Sequence, residues 1–325
     1  MGESAPGSFR LDLNAVDFVG RDLQRPECVL ATRSGDLYCS DKRGGVMNIA
    51  PDGTQRLIGE APRIVANGIA LRRDGSFLVA NLSDEGGVWS LDREGRFAPF
   101  LLEVEGRRLP SVNFVWQDYQ ERLWVCVATP RAGDHQFRPD LADGYIVLVD
   151  GKGARVVAEN VHWTNECRLD PEGRWLYQNE TFGRRLLRFP VKPDGSLGER
   201  EVLAEFGEGL FPDGLAQDAE GGIWVIGVAT NTIVRLLPDG RQEQVAVDCD
   251  PAHVARIEAA FAAKELGRPL LYQVHSRVLP NVTSLAFGGE DLRTAYLGSV
   301  AGERLARFRS PVAGLKPPYW DYGPF

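Results

Sequence analysis

Residues 213–225, DGLAQDAEGGIWV, decide the fold, because the same pattern returns along the whole chain. A polar residue is followed two positions later by an aliphatic or small apolar one, then by a turn containing Gly or Asp, and an apolar strand begins ten positions after the polar anchor. The anchors are Glu27 (before Leu37-Tyr38-Cys39), Asn67 (Phe77-Leu78-Val79), Asn113 (Leu123-Trp124-Val125), Asn165 (Trp175-Leu176-Tyr177) and Asp213 (Ile223-Trp224-Val225). A sixth copy starts at Thr283 and reaches Ala295-Tyr296-Leu297 after a turn two residues longer. Most copies continue into another apolar run that stops at an Asp-Gly turn, as Leu186 to Phe189 stops at Pro193-Asp194-Gly195 and Ile233 to Leu237 at Pro238-Asp239-Gly240. Asp-Gly supplies the positive φ angles of tight hairpins, so these are strand connections.

The anchors are spaced by 40, 46, 52, 48 and 70 residues. The first four intervals fit a four-stranded propeller blade, and the fifth is long because it carries an insertion. Between Asp250 and Gly267 the segment PAHVARIEAAFAAKELG has Val254, Ile257 and Phe261 at helical spacing, Asp as N-cap, Pro at the first helical position and Gly as C-cap. The expectation is therefore an all-β, six-bladed propeller forming a single domain over residues 1–325, with one inserted helix at about 250–267. Residues about 9–23 would close the last blade as its outer strand. The tail at about 311–325, which includes KPPYWDYGPF, would pack its aromatics on the ring or on a partner subunit. A sandwich or barrel is the alternative architecture.

Composition narrows the function classes. The chain has 325 residues, 43% hydrophobic and 25% charged, with a net charge of −8. A surplus of carboxylates argues against a nucleic-acid or anionic-membrane surface, which needs clustered Lys and Arg. The beginning, MGESAPGSFRLDLNAVDF, lacks a basic start with an apolar core, and no apolar run approaches a membrane span, so a cytoplasmic protein is expected. The five Cys (28, 39, 126, 167, 249) form no CxxC pair and lie mostly in strand-like runs, which reads as reduced thiols. Whether the chain is a monomer or a homo-oligomer is left open.

In a propeller the first strand of each blade lines the central channel, so equivalent positions converge on one axis. All six anchors carry oxygen. Two carboxylates and several amide carbonyls facing one another repel or stay unsatisfied unless a cation or a water network lies among them. Oxygen donors with two negative charges suit a hard cation, Ca²⁺ first and then Mg²⁺ or Mn²⁺. The plainer alternative is a polar, water-filled channel.

The phrases Pro26-Glu27, Thr164-Asn165-Glu166, Glu180-Thr181-Phe182-Gly183-Arg184-Arg185 and Phe211-Pro212-Asp213-Gly214-Leu215, in that order, resemble the SMP-30/gluconolactonase/LRE-like family. The resemblance spans roughly residues 17–310. It implies a six-bladed propeller with a divalent metal on its axis that hydrolyses lactones, or organophosphates in related propellers. It further implies Glu27, Asn165 and Asp213 as metal ligands, with Asn113 contacting metal or substrate, Ca²⁺ as the first choice of ion and Zn²⁺, Mn²⁺ or Mg²⁺ as others. Many sugar lactonases of the family carry an Arg shortly before the Asn113 equivalent and an Asp directly after it, where this chain reads Ser111-Val112-Asn113-Phe114. Phe114, Trp116 and Trp163 then suggest a pocket more apolar than a sugar site, with Glu166, where Gly is common, and Asn67 as further substrate contacts.

The expected chemistry is hydrolysis of a small cyclic ester, the cation polarising the carbonyl and Asp213 acting as base. The rival reading is a non-catalytic scaffold whose channel cation is structural. No GxSxG nucleophile motif is present. Of the four His, His135 and His253 read as surface residues, while His162 and His275 lie near enough to anchors for supporting roles. The stretch 128–143 is too long for a hairpin turn and is expected to cross the channel mouth, and the inserted helix to cover either the pocket or the ring's flank.

Overall fold

Each repeat folds into a meander of four antiparallel strands, innermost first. Blade 1 comprises Val29–Ala31, Leu37–Asp41, Gly45–Ile49 and Gln55–Ile58; blade 2, Ala66–Leu71, Phe77–Asn81, Val88–Leu91 and Phe97–Leu101. Blade 3 is Phe114–Gln117, Leu123–Val127, Gly144–Asp150 and Gly153–Val161; blade 4 is Thr164–Leu169, Trp175–Glu180, Arg185–Pro190 and Glu201–Glu205. Blade 5 is Phe211–Gln217, Ile223–Val228, Thr232–Leu236 and Gln242–Ala246. Blade 6 takes Val282–Gly288, Thr294–Ser299 and Leu305–Arg309 from the end of the chain and its outer strand, Asp17–Val19, from the beginning. This is a six-bladed β-propeller, seen in a computed structural model that describes residues 9–131 and 137–325. His135 and the first eight residues lie outside the described residues. Among the described residues no helix is long and apolar enough to cross a membrane.

Burial follows position in the blade. Inner strands are covered on both faces by the neighbouring blades, so Ile223–Val228 and Thr232–Leu236 are buried throughout, whereas the outer Glu201–Glu205 is mostly exposed or half-buried. Full burial of Trp124 and Trp224 requires acceptors for their indole N–H groups. Blades 3 and 5 solve this alike. Trp124 Nε1 donates to Asp118 Oδ2 at 2.9 Å and Trp224 Nε1 to Asp218 Oδ2 at 2.9 Å. Each carboxylate also takes an Arg Nε at 2.7 Å, from Arg122 and Arg235 respectively. The Asp lies in the turn and the Trp on the next strand, so one linkage ties the hairpin to the core.

Closure rests on Asp17–Val19, whose register places Asp17 against Arg307, Phe18 against Ala306 and Val19 against Leu305. Of the expected 9–23 strand only these three residues pair as a strand; Leu13–Ala15 forms a 3₁₀ turn capped by Asp12. Upstream, Phe9 stacks on Phe308 and Leu11 N–H donates to Val245 O at 2.8 Å.

The insertion holds two helices rather than one: α1, Pro251–Ala262, and α2, Arg268–Leu271. Asp250 caps α1 as expected, accepting Ala252 N–H at 2.8 Å. The other end stops before Gly267. Glu265 N–H donates to Ala260 O at 2.8 Å and Lys264 N–H to Phe261 O at 3.0 Å, with Lys264 at φ +63°, so a left-handed turn built on Lys264 ends the helix. Gly267 instead caps α2. His253, Ile257 and Phe261 are the buried face of α1, with Phe261 packed on Phe182 and Phe211 from blades 4 and 5.

The tail packs on the ring at the end of the channel where the innermost strands finish. Tyr319 meets Trp116 edge-on at 6.0 Å, Leu315 N–H donates to Gln217 O at 2.9 Å, and Arg33 N–H donates to Trp320 O at 2.8 Å. Cys28, Cys39, Cys126 and Cys167 are buried thiols, and Cys249 is half-buried.

Candidate functional site

The anchors sit where the innermost strands begin, and four of them interrupt the ladder. Pairing between first and second strands shifts register between Ala66 and Ile69, Thr164 and Cys167, Pro212 and Leu215, and Val282 and Ser284. Asn67, Asn165, Asp213 and Thr283 each lie inside such an irregularity, a device that re-aims a side chain out of the regular alternation. Gly68 and Gly214 follow two of the anchors, and a Cβ at either would collide with the neighbouring innermost strand, at 2.7 Å from Phe114 Cα in the first case and on Thr283 O in the second.

Glu27, Asn67, Asn113, Asn165 and Asp213, all buried, line one cavity of about 40 Å³, with Trp163 beside them. Asn67 links two of them, donating from Nδ2 to Glu27 Oε1 at 3.0 Å and to Asn113 O at 2.8 Å, while its Oδ1 accepts Arg25 Nη2 at 2.6 Å. Asn165 Nδ2 donates to Thr181 Oγ1 at 3.1 Å, and Thr181 donates onward to Pro212 O at 2.7 Å. Its other end, Asn165 Oδ1, is buried without a hydrogen-bond partner. Thr283 is used structurally, donating to Glu27 O at 2.8 Å.

Burial pushes Glu27 up to about 7; Glu166 adds repulsion, and Arg25 and the Asn67 amide offset part of it. Burial raises Asp213 well above the carboxylate range, with Glu27 and Glu166 repelling it and Asn165 partly compensating. Two acidic groups share one buried space at this cost, beside an orphaned amide oxygen, an arrangement that an added positive charge would stabilise. Among the described residues no three His, Cys, Asp or Glu side chains converge as a metal cluster. The donor set on the axis is two carboxylates with amide oxygens, hard ligands that fit a divalent cation of the Ca²⁺ type.

Three of the expected contacts are elsewhere. Phe114 and Trp116 point into the blade core and toward the tail, because they follow Asn113 on the regular part of the strand. Glu166 lies deeper in the channel, accepting Arg168 Nη2 at 2.7 Å and Leu215 N–H at 3.1 Å. The Arg168 guanidinium stacks 4.7 Å over Phe114 and 4.3 Å over Trp116, so these residues plug the middle of the channel and do not line the cavity. The apolar wall of the cavity comes instead from Phe137, Trp163, Phe182 and Leu271. Phe137 packs against Trp163 at 4.8 Å and Phe182 at 5.3 Å, which brings the described end of the 128–143 stretch to the mouth. His162 is bound to Glu180 at 3.0 Å, and His275 stacks on the buried His253 at 4.0 Å; neither lines the cavity.

The insertion covers the pocket. Arg268, Leu271 and Tyr272 line the cavity, and beyond them it widens into a vestibule of about 800 Å³ bounded by Gln24, Arg25, Lys42, Leu82, Asp84, Arg268, Tyr272, Val300 and Glu303. Sequence reading missed Arg25, Thr181, Phe182, Arg268 and Tyr272. Arg25 is two residues from an anchor and Thr181 and Phe182 lie in a recognised phrase, so proximity was the available signal; for α2 there was none.

A ring of six blades with oxygen donors gathered at the start of its innermost strands defines a propeller with a polar axial site. Residues 25–262 match the SMP-30/Gluconolactonase/LRE-like region family, and the chain belongs to it. It is 30% identical over 240 residues to a 6-deoxy-6-sulfogluconolactonase of Pseudomonas putida, covering 73% of this chain and 69% of that one. It is 28% identical over 245 residues to a pentonolactonase of Haloferax volcanii, covering 74% and 68%. Among solved structures, a calcium-binding regucalcin of Agrobacterium tumefaciens superposes with a TM-score of 0.65 at 19% identity, covering 94% of this chain and 98% of that one, a likeness of fold.

Proposed function

We propose that the protein is a divalent-metal-dependent lactonase that opens a small cyclic ester. Support comes from the family, from two relatives that are sugar lactonases, and above all from the buried Glu27 and Asp213 carboxylates converging with the partnerless Asn165 Oδ1. Glu27, Asn113, Asn165 and Asp213 would hold the ion, Ca²⁺ by preference for an all-oxygen set. When bound, the ion supplies Lewis-acid polarisation of the lactone carbonyl and offsets the charge that develops on its oxygen.

Asp213 takes a proton from the attacking water as the water oxygen bonds to the carbonyl carbon. The acyl–oxygen bond of the ring then breaks, and the same carboxyl returns the proton to the departing ring oxygen, giving a hydroxy acid. Asn67 holds Glu27 and Asn113 in register. The wall of Phe137, Trp163 and Phe182 keeps bulk water from the floor.

Assaying hydrolysis of sugar lactones before and after chelation, then with Ca²⁺, Zn²⁺ or Mn²⁺ restored, tests the reading. Activity is expected to vanish and return; a scaffold would show only a change in thermal stability. Asp213→Asn should lower kcat by about a thousandfold or more with the fold intact. Full activity of that variant in metal-replete buffer would remove Asp213 as the base.

A further inference from the structure

Resting on the metal-dependent reading, we propose that Thr181 is a positioning residue: it sets the polarity of the Asn165 amide, so that the oxygen and not the N–H is offered to the ion that Glu27 and Asp213 would hold.

A carboxamide has two ends of nearly the same shape and opposite character, an acceptor oxygen and a donor nitrogen. In a closed site size does not decide which end points where, so the neighbours must. Thr181 is buried in the turn between the second and third strands of blade 4, Trp175–Glu180 and Arg185–Pro190. Its hydroxyl has a single proton, which goes to the Pro212 carbonyl at 2.7 Å, an oxygen that can only accept. What remains on Oγ1 is lone-pair density, so the end of Asn165 that meets it at 3.1 Å is Nδ2. Oδ1 is thereby the end left without a protein partner, on a side chain that lines the axial cavity with Glu27 and Asp213. Reversing the amide would set two acceptors, Oδ1 and Oγ1, against each other and bring N–H donors towards a cation.

The hydroxyl itself is held firmly. Thr181 is β-branched and so restricted about χ1, and its own N–H donates to Trp163 O at 3.1 Å, which fixes the backbone that carries it. On the receiving side, the stretch after Pro212 where the ladder breaks is gripped by the same blade, with Asn179 Nδ2 donating to Asp213 O at 3.0 Å and Gly214 O at 2.9 Å. One short segment of blade 4 therefore orients Asn165 and the main chain of Asp213 together. Asn67, at the equivalent position of blade 2, is set in the opposite sense. Its neighbour Arg25 has only donors, so Oδ1 turns to Arg25 at 2.6 Å and Nδ2 to Glu27 Oε1 at 3.0 Å. The two amides stand at the same place in the repeat and present opposite ends because their partners differ.

Isothermal titration of Ca²⁺ into the chelator-stripped full chain tests this without turnover. Thr181→Val keeps the shape and removes the acceptor, which should weaken Ca²⁺ binding by about tenfold to a hundredfold, while Thr181→Ser, which keeps the hydroxyl, should stay within about threefold of the parent. A loss could also come from the turn alone, so the deciding measurement is the same substitution in an Asn165→Asp background. A carboxylate has two like ends and no polarity to set, and there Thr181→Val should change Kd by less than about threefold. An equal loss in both backgrounds would mean that Thr181 only supports the Pro212 turn, and no loss in either would mean that Asn165 needs no orienting. Either result overturns the inference and leaves the ion site standing. If Thr181→Val does not fold, Thr181→Ala takes its place with the same expectations. A parent chain that binds none of Ca²⁺, Mn²⁺ and Zn²⁺ overturns the metal-dependent reading itself, and this inference with it.

Discussion

Asp218 shows how much depends on a single carboxylate in a sheet core. It accepts Trp224 Nε1, Arg235 Nε and the Gly222 N–H, and although burial alone would raise its pKa, these donors hold it below the usual range. A depressed folded-state value means that this contribution to stability is fully present above the unfolded pKa near 4 and is lost as pH falls through the folded one. Asp218→Ala leaves the Trp224 indole N–H and Arg235 Nε without their acceptor, while the guanidinium keeps Glu220 at 2.9 Å and Glu243 at 3.6 Å, and should cost about 2–4 kcal/mol in urea unfolding at pH 7. The gap to the parent protein should narrow below about pH 4. A loss under about 1 kcal/mol would show that the linkage contributes little. At this scale the axial residues were legible because one position repeats in every blade. Phe114 and Trp116 misled for a related reason. Closeness in sequence to an anchor says nothing of direction, and a strand sends successive side chains to opposite faces.

At the scale of elements the insertion is the part that sequence described least well. Its N-terminus was evident, since Asp250-Pro251 is a strong start signal. Its end was not, because a left-handed Lys264 carries no signature that distinguishes it from a helical Lys. That α2 would reach the cavity follows from how α1 docks, and docking is a tertiary event. The anchorage is specific. Arg184 donates to Glu258 at 2.7 Å and lies 4.5 Å over Phe211 and 4.7 Å over Phe261, while Glu258 also accepts Gly209 N–H at 2.7 Å. Glu258→Ala should therefore loosen the cap, raising KM and accelerating amide exchange through 250–272 more than in the blades.

The stacked His253 and His275 make the same cap sensitive to acid. Burial lowers the His253 pKa; His275 and Arg256 repel a proton there, and Asp250 opposes them weakly. Because the folded-state value lies below the unfolded one near 6.5, the stabilisation is present above that pH and disappears as pH falls through and below it. Exchange in 250–272, corrected for intrinsic rates, should rise between pH 7.5 and 5.5 and cease to do so in His253→Phe. A flat profile in the parent protein would rule this out.

For the whole molecule, the ring is fastened by three residues at one end of the chain against a strand almost 290 positions away. The exposed Asp17 to Arg307 ion pair is screened by solvent, so Arg307→Ala should be mild. Removing residues 1–20 is different in kind. It bares the Leu305–Arg309 edge and the apolar face that Phe18 and Phe9 cover, and light scattering on heating should reveal aggregation well below the parent's unfolding temperature. The six-fold architecture was readable because Asp-Gly turns and anchors recur at blade spacing, whereas the tail's resting place was not, since aromatic residues between prolines specify no direction.

That resting place has a kinetic consequence. Tyr319 is seated on Trp116 at one end of the channel and Glu166 is bound to Arg168 within it, which puts packed side chains between the tail and the axial cavity, and among the described residues that cavity opens into the vestibule. If the site turns over as proposed, product leaves by the passage through which substrate enters, and hydroxy acid added to initial-rate assays should inhibit competitively.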